Sequence, residues 1–438
     1  MSSLKLLNAV RPFKEHTRNE LLATLLVSKL CTVPAFVHNS MKLIRAGQAL
    51  FGADAVSYYM NHTAGQVFSA GETNAELKNV IRKLHGVGAY PIVDYCAEGI
   101  EKQFSPEIEE NVKEIMRGIK LVSGETWSST AIKVSALIDM PTLKKLNKIQ
   151  LQLEQGSNIA SRYDRSVFSM VADSSHKISS LSSTKDSFSL TTDELQATRD
   201  CITKVEAIIS LAEACNVSVM VDAEQTYLQA AIDSLAVQMQ KVFNVKQAFV
   251  CNTFQCYLQE TALRVPAYIQ YTRDIGIKPG IKLVRGAYMN EESRIANANS
   301  TASPLNQSKQ ATDEVYNSNL SKSLDIAGNG SLLCVATHND SSIELAQKLM
   351  KAKVVDKKYG GVVFAQLLGM KDMTTASLAK NQYLTAKYVP FGPINKLIPY
   401  LIRRALESYH MMDSLAEVEN QVRQEFALRA QLKNAGYN

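Results

Sequence analysis

From residue 89 onward the chain repeats one rhythm: a short run rich in β-branched and aromatic residues, then a longer stretch with helical character. The runs are AYPIVDY (89–95), TAIKVSAL (130–137), VSVMVDAE (217–224), AFVCNTFQ (248–255), IKLVRGAY (281–288), SLLCVATHN (331–339), GVVFAQLLG (361–369) and TAKYVPFG (385–392). Strands that alternate with helices build a parallel sheet, and eight such units are the number that closes a (βα)8 barrel. The rival, an open doubly wound sheet, ordinarily brings a glycine fingerprint. Neither G-x-G-x-x-G nor G-x-x-x-x-G-K-[ST] occurs. The spacing therefore predicts an α/β fold, a TIM-like (βα)8 barrel.

The barrel is preceded by a helical arm. TRNELLATLLVSKL begins with a Thr-x-x-Glu capping box, Thr17 to Glu20. SPEIEENVKEIMRGIKLVSG (105–124) is a second helix, with Pro106 at its start. One insertion, within 141–200, carries DSSHKISSLSSTKDSFSLTTDE, whose polarity suits an exposed, mobile loop. The expected division is an arm at 1–84, a barrel at 85–412 and a helical tail at 413–438. Residues 1–14 hold Lys5, Arg11 and Lys14 and no acid, as the end of an organelle presequence would.

Composition narrows the class. With 438 residues, 46% hydrophobic and 21% charged, the chain is long enough for one large α/β domain with appendages. A net charge of +6 permits attraction to an anionic membrane or ligand but is too diffuse to argue for nucleic acid. No run of about 18 apolar residues suggests a membrane span. The seven cysteines include no C-x-x-C and no zinc spacing with histidine, so they are expected to be buried thiols and no metal site is expected.

In a (βα)8 barrel the chemistry gathers at the C-terminal ends of the strands. Those ends carry Lys133, Asp222, Glu224, Asn252, Gln255, Lys282, Arg285, Tyr288, Thr337, His338, Asn339, Gln366 and Tyr388. Polar groups inside apolar strands are costly unless paired, so this set points to a ligand site. Blander readings stand beside it: Lys133 pointing outward, Asp222 or Thr312 capping a helix, His338 as a structural histidine. After the last run, Tyr400, Arg403, Arg404 and Glu407 share one helical face. That face is either solvated or a guanidinium fork for a small carboxylate. Its place directly after strand eight favours the fork.

TAIKVSAL, VMVDAEQTYLQAAID, CNTFQCYL, GIKLVRGAY, ATHN, FAQLLGM and YVPFGP…YLIRRALE occur in an order that resembles the proline dehydrogenase family. The resemblance runs from about 85 to 410, and the first 80 residues are similar to the arm of its mitochondrial members. It implies a distorted (βα)8 barrel that holds FAD non-covalently. It also implies oxidation of L-proline to 1-pyrroline-5-carboxylate, with electrons passed to a membrane quinone from the matrix side of the mitochondrial inner membrane, by a peripheral contact. Oligomeric state is left open.

Residue by residue, the resemblance assigns the substrate carboxylate to Arg403 and Arg404, with Glu407 as their buttress and Lys133 beside carboxylate and flavin. Tyr388, Tyr400 and Leu367 pack on the proline ring, and Asp222 lies near the amine and the flavin. FAD is expected at Val250, Asn252, Lys282, Val284, Gly286, Ala287 and Tyr288, with Lys309, Thr312, Thr337, His338 and Asn339 toward pyrophosphate and adenosine. Tyr388 favours proline over hydroxyproline, because relatives that oxidise hydroxyproline typically lack the tyrosine of KYVP. A catalytically silent barrel that senses proline or flavin is a further alternative. The full set of Lys133, Asp222, Arg403 and Arg404 argues against it.

Overall fold

A computed structural model describes residues 10–155, 161–172, 189–410 and 412–434. Eight strands close a barrel in sequence order. They are β1 (Tyr90–Tyr95), β2 (Ser129–Ile132), β3 (Ser218–Val221), β4 (Val250–Gln255), β5 (Gly280–Val284), β6 (Leu332–Ala336), β7 (Val362–Leu367) and β8 (Thr385–Phe391). The predicted fold is the one observed. The strands are buried along almost their whole length, as parallel strands covered on both faces must be.

Several strands stop earlier than their β-rich runs suggest. β2 ends at Ile132 and Val134–Ala136 turns as a 3-10 segment, β3 ends at Val221, and β5 ends at Val284. The reason is local. Past β2 the backbone turns away from the ladder, and Ser135 N–H donates to the Glu224 carboxylate at 3.1 Å.

The chain divides into two compact units, Met1–Cys96 with Ala365–Asn438, and Ala97–Phe364. In the first, helix Arg18–Cys31 starts at the expected capping box, with Thr17 and Glu20 bonding reciprocally. Leu21 of that helix packs with Phe13 and Val422, the latter on helix Met412–Asn434. Arg11 forms an ion pair with Glu425 at 2.7 Å. Residues 1–9 of the expected presequence lie outside the described residues. β1 pairs with β8 from Tyr90↔Ala386 to Tyr95↔Phe391. Lys387 of β8 is only 1% exposed; its Nζ meets Asp372 Oδ1 at 2.8 Å and donates to the carbonyls of Leu367 and Met370. That lysine ties the end of β7 and the following turn to β8.

The second unit holds β2 to β6 in parallel register, for example Ile132↔Val221, Val221↔Asn252, Thr253↔Lys282 and Lys282↔Cys334. The expected helix at 105–124 is found as Pro106–Leu121 with Ser105 as its N-cap. Of the serine-rich insertion, 173–188 lie outside the described residues. Its far end starts helix Thr192–Ala214 through a Thr191–Glu194 capping box.

Glu224 staples three strand ends together. Its side chain accepts from Ser135 N–H after β2, its carbonyl accepts from Gln255 Nε2 on β4 at 2.8 Å, and its own N–H donates to Gln229 at 2.8 Å. Burial pushes its carboxyl from the ordinary 4.5 up to about 7, aided by the Glu98 charge and opposed by the Ser135 bonds and by Lys133. The folded protein therefore keeps this proton where the unfolded chain has released it. Stability should fall as pH rises through the window from 4.5 to about 7. Glu224→Gln keeps an acceptor for Ser135 and removes the titration. Urea unfolding across this range should show a flatter profile for the variant, and at pH 8 a gain of roughly 2–3 kcal/mol; parallel profiles would contradict the assignment.

Candidate active site

Three charged side chains converge at the strand ends of the second unit. Asp222, one residue past β3, meets Lys282 Nζ of β5 at 2.6 Å through Oδ1, and Lys133 Nζ, one residue past β2, at 3.8 Å through Oδ2. β4 stands between β3 and β5, so the Asp222–Lys282 contact passes across the inner side of the sheet. All three are buried. Lys133 thus does not point outward, and Asp222 is not the cap of the next helix, Thr226–Phe243, whose N-cap is Gln225. Two ammonium groups around one carboxylate leave the cluster formally positive, an environment made for an anion or an electron-rich ring.

β4 divides its residues by parity. Successive side chains point to opposite faces, and Thr253 pairs with Lys282 whereas Asn252 pairs with Ile281. Asn252 is accordingly turned toward the helices: its Nδ2 donates to Asp233 Oδ1 at 2.8 Å, and Asp233 is ion-paired with Arg264 and bonded to Gln229. Val250 shares that face. The structure does not bring Val250 or Asn252 to the lysine–aspartate cluster.

Beyond β5 the chain bends at Gly286, whose φ is +132° and where a Cβ would lie 2.2 Å from the Tyr257 ring. No side chain fits there. Val284 shares the parity of Lys282, Gly286 and Ala287 are exposed, and Tyr288 is half-buried. Arg285, one of the strand-end residues expected at a ligand site, organises this corner. Its Nε donates to Asp313 at 2.8 Å, Nη1 to Thr337 Oγ1 at 2.5 Å and Nη2 to Ser342 at 3.0 Å, with the guanidinium 4.4 Å from the Tyr316 ring centroid.

Thr337 Oγ1 also accepts from Asn339 N–H at 3.1 Å, and Asn339 caps helix Asp340–Ala352 through Ser342 N–H at 3.0 Å. His338 between them is half-buried. Helix Lys309–Leu324 begins at the N-cap Ser308; Thr312 is buried in its first turn and donates to Ser308 O at 3.2 Å. Lys309 is exposed and pairs with Asp313 at 2.7 Å. An exposed glycine backbone, a helix N-terminus and a lysine form a donor set suited to phosphate. Among the described residues no group of histidine, cysteine and carboxylates has the makings of a metal site.

In the first unit, helix Ile394–His410 carries the arginine face. Arg404 is only 5% exposed and Tyr400 6%, so a solvated face is excluded for both. Nη1 of Arg404 pairs with Glu407, and its guanidinium lies 4.9 Å from the Tyr400 ring centroid. Yet Arg404 Nε and Tyr400 Oη are both buried without a hydrogen-bond partner. Burial pushes the Tyr400 phenol well up, against the pull of Arg404, so it keeps its proton and remains a donor. Two unsatisfied buried donors on one helix face call for an acceptor. Arg403 is half-buried. Leu367 at the end of β7 packs in the same apolar cluster as Tyr400, with Phe68, Leu397 and Met370. Tyr388 of β8 is buried opposite Ile92 of β1.

Comparison with known proteins follows the same lines. The family model described as proline dehydrogenase matches residues 77–416. A Xenopus laevis protein named hydroxyproline dehydrogenase is 30% identical over 424 residues, covering 95% of this chain and 88% of its own. The Dictyostelium discoideum protein named proline dehydrogenase 1, mitochondrial, is 28% identical over 421 residues, covering 94% and 73%. Among solved structures, proline utilization A from Bdellovibrio bacteriovorus matches with a TM-score of 0.64 at 16% identity, over 95% of this chain. This chain spans 41% of that longer protein, and the likeness is one of fold. With a match across most of its length and both units contributing to it, the chain belongs to the proline dehydrogenase family.

Proposed function

We propose that this protein oxidises L-proline to 1-pyrroline-5-carboxylate with FAD as its cofactor, and that it passes the electrons to a membrane quinone. The observation that carries the reading is the pair of buried, unsatisfied donors, Arg404 Nε and Tyr400 Oη. L-Proline offers a small carboxylate to fill them. Arg403 adds a second guanidinium, Glu407 holds Arg404 in place, and Leu367, Tyr388 and Tyr400 supply apolar surface for the ring. Fixing the carboxylate fixes the ring, a proximity effect.

The family is flavin-dependent. The residues of the second unit fit FAD by the chemistry of their donors: Lys282 and Lys133 around Asp222 for the flavin ring, with Val284, Gly286, Ala287 and Tyr288 along its edge. Lys309, Thr312, Thr337, His338 and Asn339 would hold pyrophosphate and adenosine. Val250 and Asn252 would brace β4 from the helix side rather than touch the cofactor. When bound, the flavin supplies the acceptor for a hydride from the ring carbon next to nitrogen. The chain's own part is to bind and orient: Asp222 attracts the substrate amine, and Lys133 serves carboxylate and flavin edge. Curated relatives carry mitochondrial names, and the proposed location is the matrix face of the inner membrane, bound peripherally.

A second reading, hydroxyproline as substrate, is favoured by the name of the Xenopus laevis relative. Tyr388 supports the proline reading, since its phenol would fill the space that a ring hydroxyl needs. Steady-state assays with a soluble dye as acceptor should give a higher kcat/KM for L-proline than for trans-4-hydroxy-L-proline. Tyr388→Ser should shift the ratio toward hydroxyproline by about tenfold or more. Wild-type preference for hydroxyproline would overturn the proline reading. Arg404→Met should lower kcat/KM for proline by about a hundredfold, mainly through KM, and leave the slow oxidation of pyrrolidine, which has no carboxylate, unchanged. Equal losses on both substrates would mean that Arg404 acts only on the fold.

A further inference from the structure

Half of the large apolar side chains that stand exposed among the described residues fall between residues 22 and 59. They are not scattered. Leu22, Leu26 and Lys29 recur at i, i+4 and i+7 along the outer face of helix Arg18–Cys31, whose other face is buried, and the exposed Val33 follows as the N-cap of the short helix Pro34–His38. Further on, helices Ser40–Phe51 and Ala53–Met60 bury only Ser40. They pack on each other, with a Cβ at Gly47 standing 3.2 Å from Val56, and leave Leu43, Leu50 and Phe51 outward. Leu50 is 77% exposed and Phe51 74%. Exposed apolar side chains concentrated in so short a stretch are uncommon on a free soluble surface.

Charge says what covers it. From residue 21 to 53 the chain has no aspartate or glutamate, but it has Lys29, Lys42 and Arg45. Helix Ser40–Phe51 exposes Lys42 and Arg45 as well as Leu43, Leu50 and Phe51, and the exposed Tyr58 and Tyr59 follow on helix Ala53–Met60. Between residues 22 and 59 the three cations stand against one acid, the exposed Asp54; apolar side chains accompanied by cations and tyrosines and few acids are what the interface of an anionic bilayer selects. A second copy of this chain fits poorly. A two-fold interface sets a patch against itself, and here that would bring three cations from each copy together with only Asp54 from each to offset them. No described helix is long and apolar enough to cross a membrane.

We propose that residues 22–59 form the surface that docks this protein on an anionic lipid bilayer, with Leu43, Leu50 and Phe51 entering the headgroup–acyl boundary and Lys42 and Arg45 contacting lipid phosphates. The inference gives a location to the peripheral contact in the function proposed above and rests on that reading for its purpose. Binding itself is measured without turnover.

The test is flotation of the full-length holoprotein with vesicles of phosphatidylcholine plus phosphatidylglycerol, against phosphatidylcholine alone, at low and high salt. Wild type should float with the anionic vesicles and be partly released by salt. Leu50→Ser with Phe51→Ser should lower the partition coefficient about tenfold. Lys42→Glu with Arg45→Glu should lower it similarly and remove the salt response. Both variants should keep wild-type dye-linked oxidation of proline and wild-type melting temperature. Wild type that stays off anionic vesicles, variants that bind as well as wild type, or a wild-type dimer that these variants dissociate would each overturn the proposal. Wild type that oxidises proline but stays off anionic vesicles sinks the docking face alone; wild type that binds them without oxidising proline supports the face and sinks the functional reading.

Discussion

A carboxylate buried between two lysines is the constraint on which the second unit is built. Asp222 reaches Lys282 at 2.6 Å and Lys133 at 3.8 Å, and so couples the ends of three strands. Such a trio is not a device for stability. Desolvating three charges costs several kcal/mol each, and replacing buried ion groups by apolar side chains is often neutral or better. Removing the shared carboxylate, however, takes an ion-pair partner from both lysines, and breaking a buried pair in this way costs about 3–5 kcal/mol. A fold keeps an arrangement of that kind where charge is put to use. The cluster holds more positive than negative groups, which suits a cofactor whose reduced form gains electron density.

The same economy governs the helix Ile394–His410. Arg404 is buried on a helix face, with Glu407 and the Tyr400 ring as its partners. Its remaining Nε–H and the Tyr400 hydroxyl stay unsatisfied. Leaving two such donors buried costs about 1–3 kcal/mol apiece. The carboxylate ligand proposed for this face would recover that cost on binding and turn it into affinity. Lys387 shows the contrast: equally buried, but with Asp372 and two carbonyls around it, it has nothing left to offer.

The alternation of strand and helix was legible in the sequence, and so was the barrel, because both rest on composition and spacing. The arginine face was legible too, since i, i+3, i+4 and i+7 fix a helical surface. What spacing does not give is the side of a strand. Lys133 in TAIKV and Lys387 in TAKYV present the same signal, a lysine among apolar neighbours, yet one joins the lysine–aspartate cluster and the other is buried as a tether for the β7 turn. Asn252 and Thr253 differ by one position and by a whole face. Arg285 was visible as a strand-end residue, but its three partners come from elements 28, 52 and 57 residues away in sequence. Glu224 was visible in the same way, while its upward-shifted carboxyl comes from burial that only tertiary packing creates.

The measurement that bears most directly on the central claim is an anaerobic visible spectrum of the purified protein, recorded before and after addition of L-proline and then of a soluble quinone. The account predicts an oxidised-flavin band that L-proline bleaches and quinone restores. A protein that cannot be loaded with FAD would contradict the reading of the lysine–aspartate cluster as a flavin site. A flavin band that proline leaves unchanged would contradict the reading of Arg404 and Tyr400 as the carboxylate grip.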